Sequence, residues 1–348
     1  MTTLFDPISF GDIECANRII MAPMTRSRAG EGDAPTEMNA IYYGQRASSG
    51  LIITEGVYPN FDGKGYVRTP GIVTDNQIAG WKLVTDAVHA KGGKIVMQLM
   101  HCGRIASHHN KSNVSRTLAP SAVQAKGEIY TDAVGMAAHD YPEEMSIDEI
   151  EKTISDFGTA TRNAIAAGCD GVELHCTSGY LPAQFLSTGT NHRDDDYGGS
   201  LENRHRFVVE VLEVMADMAG AGRVGIRICP GNPFNDLSDE NPEETFGTLI
   251  EKVNAMDLAY LHVIRMKAGV DNIALAKNFD GPVILNDSYD LDRGNRALSE
   301  GQADAISFGR NYLANPDLVE KFKMGTELSK PDYKLLYTPG PKGYVDYD

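Results

Sequence analysis

Residues 171–181 read GVELHCTSGYL: a run that is apolar almost throughout stops at a histidine and gives way to small and polar residues and a tyrosine. Near-continuous apolar character, rather than strict alternation, is what a strand shows when both of its faces are covered. Runs of the same kind recur at IIMAPM (19–24), LIITEG (51–56), KIVMQL (94–99), VGIRI (224–228), LAYLHV (258–263), PVILN (282–286) and AISFG (305–309), which makes eight in all. Helix-like segments lie between them. SIDEIEKTISDFGTATRNAIAAG opens with Ser146 and Glu149 in capping-box spacing, places Ile147, Ile150, Ile154 and Phe157 on one stripe and ends at Gly168. Eight buried strands alternating with helices predict a single (β/α)8 TIM barrel over residues 1–348 in preference to a doubly wound sheet.

Two segments depart from the repeat. Residues 1–18 predict a short hairpin with Gly11 in its turn, placed to plug the N-terminal end of the barrel. Residues 101–145 are rich in His, Ser, Asn and Pro, lack helical periodicity and are too long for an ordinary loop after strand 3. An insertion there, at the C-terminal mouth, predicts an active-site excursion.

Composition narrows the function. A formal charge of −16 argues against a nucleic-acid partner, because an acidic surface repels the phosphate backbone. No basic, apolar leader opens the chain, and no window approaches the ~18 apolar residues of a membrane span. A soluble cytoplasmic protein is expected, as monomer or homodimer. The five cysteines include no C-x-x-C pair, so reduced thiols are expected rather than a disulfide framework. His101, Cys102, His108 and His109 match no zinc spacing, and no metal is expected.

In a barrel, chemistry sits where strands end at the C-terminal face. The residues that close or directly follow the apolar runs are Thr25, Gly56, Gln98, His175, Arg227, Asn286, Gly309 and Arg310. A lone His or Arg in such a place is most often a satisfied structural group. A set of donors converging on one mouth is another matter. Gln98 offers a two-sided amide, Thr25 a hydroxyl and Arg227 a fixed cation, which together suit a planar heterocycle. SFGRNYLANP adds an anion site, with backbone approach at Gly309, a fork from Arg310 and the positive end of a following helix. A phosphate-bearing flat ligand such as FMN answers both requirements.

The chain resembles the Old Yellow Enzyme family of FMN-dependent ene-reductases. The likeness runs nearly end to end and rests on NRIIMAPMTRSRA (17–29), MQLMHCGRIAS (97–107), GVELHCTSGYLPAQFLSTGTNHRDDDYGGSLENRHRF (171–207), ADAISFGRNYLANPDL (303–318) and GYVDY near the terminus. The resemblance implies non-covalently bound FMN, with Pro23 and Met24 along the ring, Thr25 on its C4 carbonyl, Gln98 on the pyrimidine edge and Arg227 near N1 and O2. Gly56 would also touch the cofactor, and Asn286, Ser288, Gly309 and Arg310 would surround the phosphate. It further implies that His175 and Ser178 hold a substrate oxygen, that Tyr180 donates a proton, and that Tyr66, Met100 and Tyr337 line the substrate side. NADPH or NADH would serve as transient reductant, and an enone, nitroalkene or quinone would be the oxidant, in ping-pong turnover. The absence of a G-x-G-x-x-G fits a nicotinamide that visits the flavin pocket.

Departures from the family pattern are as informative. Ser178 stands where Asn or His is usual and donates a single proton. Asp287 brings a negative charge to the phosphate loop, where glycine is common, and its side chain is expected to point away. Met100 replaces a tryptophan, and Asn235 stands where several relatives carry Gln. Two other readings stay open: a barrel that has lost flavin and acts as a lyase or isomerase, and a flavin-binding protein without ene-reductase turnover. A bound-flavin spectrum eliminates the first. Bleaching by NADPH with recovery on an enone eliminates the second, and recovery by quinones alone would mark an NAD(P)H:quinone reductase.

Overall fold

The computed structural model describes residues 2–266 and 269–347. Eight parallel strands close on themselves in chain order: β1 Ile19–Met21, β2 Leu51–Ile53, β3 Ile95–Leu99, β4 Gly171–His175, β5 Val224–Ile228, β6 Tyr260–Ile264, β7 Val283–Asn286 and β8 Ala305–Phe308. Each apolar run of the sequence overlaps one of them, β6 reaching one residue past its run to Ile264. Several strands stop short of the end of the run, β1 at Met21 and β2 at Ile53, so that Ala22–Thr25 and Thr54–Gly56 become loop on the C-terminal face.

Helices cover the outside. The longest, α3 (Ile147–Ala166, following α1 Glu37–Gln45 and α2 Asp75–His89), starts at the capping box seen in the sequence. Ser146 Oγ accepts from the Glu149 amide at 3.3 Å, and Glu149 Oε2 accepts from the Ser146 amide at 2.8 Å, an arrangement that contributes about 1 kcal/mol. Ile150, Ile154 and Phe157 are buried on its inner face. Ile147, the first helical residue, is not: it is 37% exposed.

Side chains alternate in and out of the barrel, and the inward ones form layers. The lowest layer is apolar, with Ile20, Leu51, Ile53, Val96, Tyr260, Ile284 and Ala305 packed against Phe10, Ile13 and Cys15. Those last three belong to an antiparallel hairpin, Ile8–Phe10 with Ile13–Cys15, that seals the N-terminal end. Gly11 makes its turn at φ 54°, and a Cβ there would lie 2.3 Å from the Gly222 carbonyl oxygen. Gly225 on β5 leaves room for the Tyr260 ring, which a Cβ would meet at 2.3 Å.

The layer above is polar. Gln98, Glu173, Arg227, His262, Asn286 and Ser307 are all buried there, one step below the mouth. Residues 101–145, which lack helical periodicity, contain two small sheets: Leu118–Ala119 pairs with Glu143–Glu144, and Glu128–Thr131 pairs with Gly135–Ala138. The C-terminal tail lies over the loop after β1. Arg28 donates to the carbonyls of Leu335, Leu336, Gly340 and Lys342, Arg26 donates to that of Gly343, and Tyr344 stacks on Tyr42 with centroids 4.0 Å apart. No helix among the described residues is long and apolar enough to cross a membrane.

Candidate active site

A cavity of about 920 Å³ opens at the C-terminal face of the barrel, at the upper end of the range for small-molecule and cofactor sites. Its floor is Pro23, Met24 and Thr25 from the loop after β1, with Arg227 from the end of β5. Asn286, Ser288, Gly309 and Arg310, from the ends of β7 and β8, form one side. Tyr66, Tyr180 and Tyr337 form another, with Ile129, Tyr130 and His139 of the 101–145 excursion and Tyr333 and Leu336 of the tail. The excursion and the tail therefore both wall the cavity, and Tyr333 and Leu336 carry no motif by which the sequence could have flagged them.

The remaining predicted residues are set back from that wall. Gln98 is buried beneath it, its Nε2 donating to Glu173 Oε1 at 2.7 Å. Because an ionised carboxylate only accepts, one of the two amide N–H groups is committed to it, and the second N–H and Oε1 remain for a ligand. Gly56 has a packing role, since a Cβ there would lie 2.5 Å from Met100 Sδ. Met100 in turn is buried in a cluster with Cys102, Ile105, Ala125, Tyr180 and Tyr66.

His175 closes β4, in register with Arg227 on β5. Its ring centroid lies 5.0 Å from that of Tyr180, and its Nδ1 is buried with no hydrogen-bond partner among the described residues. Burial, reinforced by the Arg227 charge, pushes the imidazole pKa well below its ordinary range, so the ring is neutral and offers an N–H without a charge. The Tyr180 hydroxyl is 3.0 Å from that of Tyr66. Burial and then the neighbouring Tyr66 push the Tyr180 phenol well above its usual pKa, so it keeps its proton. Ser178 has a left-handed backbone, φ 59°, and its carbonyl accepts from Asn235 Nδ2 at 2.8 Å.

Below the wall runs a network that sequence reasoning missed. Glu173 joins Gln98 to His262, whose Nδ1 is 2.9 Å from Glu173 Oε2 and whose Nε2 is 2.8 Å from Ser307 Oγ. Burial disfavours charge on Glu173, but His262, Arg227 and Gln98 outweigh it and hold the carboxyl below its ordinary range. Burial pushes the His262 imidazole below its ordinary range against the pull of Glu173, and Arg227 adds a second positive group near that carboxylate. The signal was available: Glu173 interrupts an apolar strand with the same parity as His175, so both point into the barrel.

One expectation is corrected. Asp287 does not point away from the anion end: its Oδ1 is 2.8 Å from Arg310 Nη2, and both residues line the cavity. The reason is backbone conformation, since φ 78° at Asp287 and 61° at Ser288 turn the loop so that the carboxylate meets the guanidinium. Arg227 Nε is a further buried donor without a partner among the described residues. An unsatisfied guanidinium N–H on the floor, a buried amide and the arginines Arg293 and Arg310 at one end fit a flat ring with hydrogen-bond acceptors along its edge and a phosphate.

The chain matches the NADH:flavin oxidoreductase / NADH oxidase family over residues 3–329. It belongs to that family. Among relatives of this flavin oxidoreductase, a probable flavin mononucleotide-dependent alkene reductase of Leishmania infantum is 39% identical over 353 residues, covering 99% of this chain and 96% of that one. The 12-oxophytodienoate reductase 1 of Oryza sativa subsp. japonica is 38% identical, covering 99% and 92%. Among solved structures, morphinone reductase in complex with tetrahydroNAD superposes with a TM-score of 0.95 at 41% identity, covering 100% of this chain and 98% of that one. The old yellow enzyme homologue from Zymomonas mobilis gives 0.95 at 38%, covering 100% and 99%. The family resemblance read from the sequence and the barrel are both borne out, and this flavin oxidoreductase is an FMN-dependent enzyme of the Old Yellow Enzyme type.

Proposed function

We propose that the chain uses NADPH or NADH to reduce the activated C=C bond of α,β-unsaturated carbonyl or nitro compounds, with His175, Ser178 and Tyr180 acting on the substrate. FMN, when bound, supplies the hydride-accepting and hydride-donating centre. Thr25, the Gln98 amide and Arg227 would hold its ring, and Ser288, Gly309 and Arg310 its phosphate. Neutral His175 and the Ser178 hydroxyl would donate to the substrate oxygen, where negative charge develops as the double bond is reduced. Tyr180 would then give its phenolic proton to the carbon α to that group. Tyr66 would keep the phenol aimed and ready to be reprotonated. The wall of Ile129, Tyr130 and Tyr337 would keep water from the reacting carbon.

The observation that carries this reading is the placement of Tyr180: a protonated phenol on the cavity wall, held by Tyr66 and beside a neutral histidine whose Nδ1 has no partner. The expected partners are small molecules, and a cytoplasmic location is proposed from the sequence.

The test is anaerobic. NADPH or NADH should bleach the bound-flavin absorbance of the purified protein, and 2-cyclohexenone or a nitroalkene should restore it with reduction of the alkene. Restoration by quinones but by no alkene would replace this reading with a quinone reductase.

A further inference from the structure

The anion end of the cavity is built on a backbone unusual for its residues. Asp287 and Ser288, directly after β7, both lie in the left-handed region, which residues with a Cβ enter at a cost. Asp287 Oδ1 takes Arg310 Nη2 at 2.8 Å, and its Oδ2 accepts from the Ser288 hydroxyl at 3.0 Å. Two more arginines brace the loop without offering the same fork. Arg293 donates to the Ser288 carbonyl at 3.2 Å and lies 3.4 Å from Asp290, while Arg265 donates to the carbonyls of Asp287 and Ser288 at 3.4 and 3.5 Å. The guanidinium best placed for a phosphate is therefore already engaged by a carboxylate of the same chain.

We propose that Asp287 is a built-in competitor for the flavin phosphate at Arg310, lowering this protein's affinity for FMN and narrowing its preference for FMN over riboflavin. The inference rests on the reading that the cavity holds FMN with its phosphate toward Arg310. A phosphate monoester brings up to two negative charges. At Arg310 it must displace the Asp287 carboxylate or lie beside it, and either costs binding energy that a flavin without a phosphate does not lose. The strained backbone is what holds the carboxylate in place, since an extended residue at 287 would send its side chain elsewhere.

The experiment is fluorescence titration of FMN and of riboflavin into the full-length protein, freed of its flavin by dialysis and checked for its melting transition. Wild type is run beside Asp287→Asn and Asp287→Gly. Asparagine removes the charge and tolerates the left-handed backbone; glycine removes both the charge and the strain. Both variants should bind FMN about tenfold more tightly or better, as expected for relief of one charge repulsion partly screened by solvent, with riboflavin affinity within about twofold of wild type. Unchanged or weaker FMN binding in both variants overturns the proposal. So does an equal gain for the two flavins, which would indicate loop conformation rather than charge. A wild type that takes up neither flavin sinks the cofactor siting itself, and the proposal with it.

Discussion

The hydroxyls of Tyr180 and Tyr66 lie 3.0 Å apart on one wall of the cavity, and their rings meet edge to face with centroids 6.3 Å apart. One phenol thus orients the other, and neither is a lone buried polar group. Replacing Tyr180 with Phe should leave flavin reduction by the nicotinamide within about twofold of wild type while slowing alkene-dependent reoxidation by roughly 100-fold. Stopped-flow measurement of the two half-reactions separates them. Equal loss in both would mean that Tyr180 shapes the pocket instead of donating a proton.

Ser178 presents one hydroxyl on a left-handed backbone whose carbonyl is tied to Asn235. An asparagine tolerates the same φ and reaches further with two donors. Ser178→Asn should therefore speed reoxidation by cyclic enones, by roughly three- to tenfold if one additional hydrogen bond forms in the transition state. A rate unchanged or lower for every enone tried would remove Ser178 from the oxygen-holding pair.

Glu173 is wholly inaccessible and shared between Gln98 and His262. Changing it to Gln puts an amide N–H₂ against another donor and leaves the Arg227 charge without its counter-ion. The expected cost is about 3 kcal/mol in urea unfolding at neutral pH, with Gln98 released from its orientation. Stability within about 0.5 kcal/mol of wild type would show that the network is not a unit.

Glu55 carries a pH dependence. It is buried, and burial raises its carboxyl from 4.5 to about 7 despite the Arg26 and Ser27 amides nearby. A folded-state pKa above the unfolded one means that its contribution is present in full below about pH 4.5 and is lost as pH rises through 7. Glu55→Gln does not titrate. The gap in melting temperature between wild type and variant should shift in the variant's favour between about pH 5 and 8, by the equivalent of roughly 2 to 3 kcal/mol. A gap independent of pH would place the Glu55 carboxyl at an ordinary value.

Much of the architecture was legible along the chain because its signals are local. Apolar runs covered on both faces, and capped amphipathic segments such as Ser146–Ala166, depend on near neighbours. Strand ends were legible for the same reason: Thr25, Arg227, Asn286 and Gly309 all came to the cavity wall. Less legible was everything set by distant partners. Glu173 reads as one polar residue in an apolar strand until β3 and β6 bring Gln98 and His262 to it, and the segment around Tyr333 and Leu336 reads as a polar tail until Arg26 and Arg28 draw it over the barrel.

By itself, then, the sequence determined the barrel, the order of its strands and which residues stand at its mouth, since hydrophobic periodicity and chain order suffice for these. Tertiary structure alone decided how those residues share their hydrogen bonds. Gln98 has committed one amide N–H to Glu173, Asp287 has turned toward Arg310, and Tyr180 has met Tyr66. Side-chain orientation and protonation follow from burial and from charges tens or hundreds of residues away, and no local pattern encodes them.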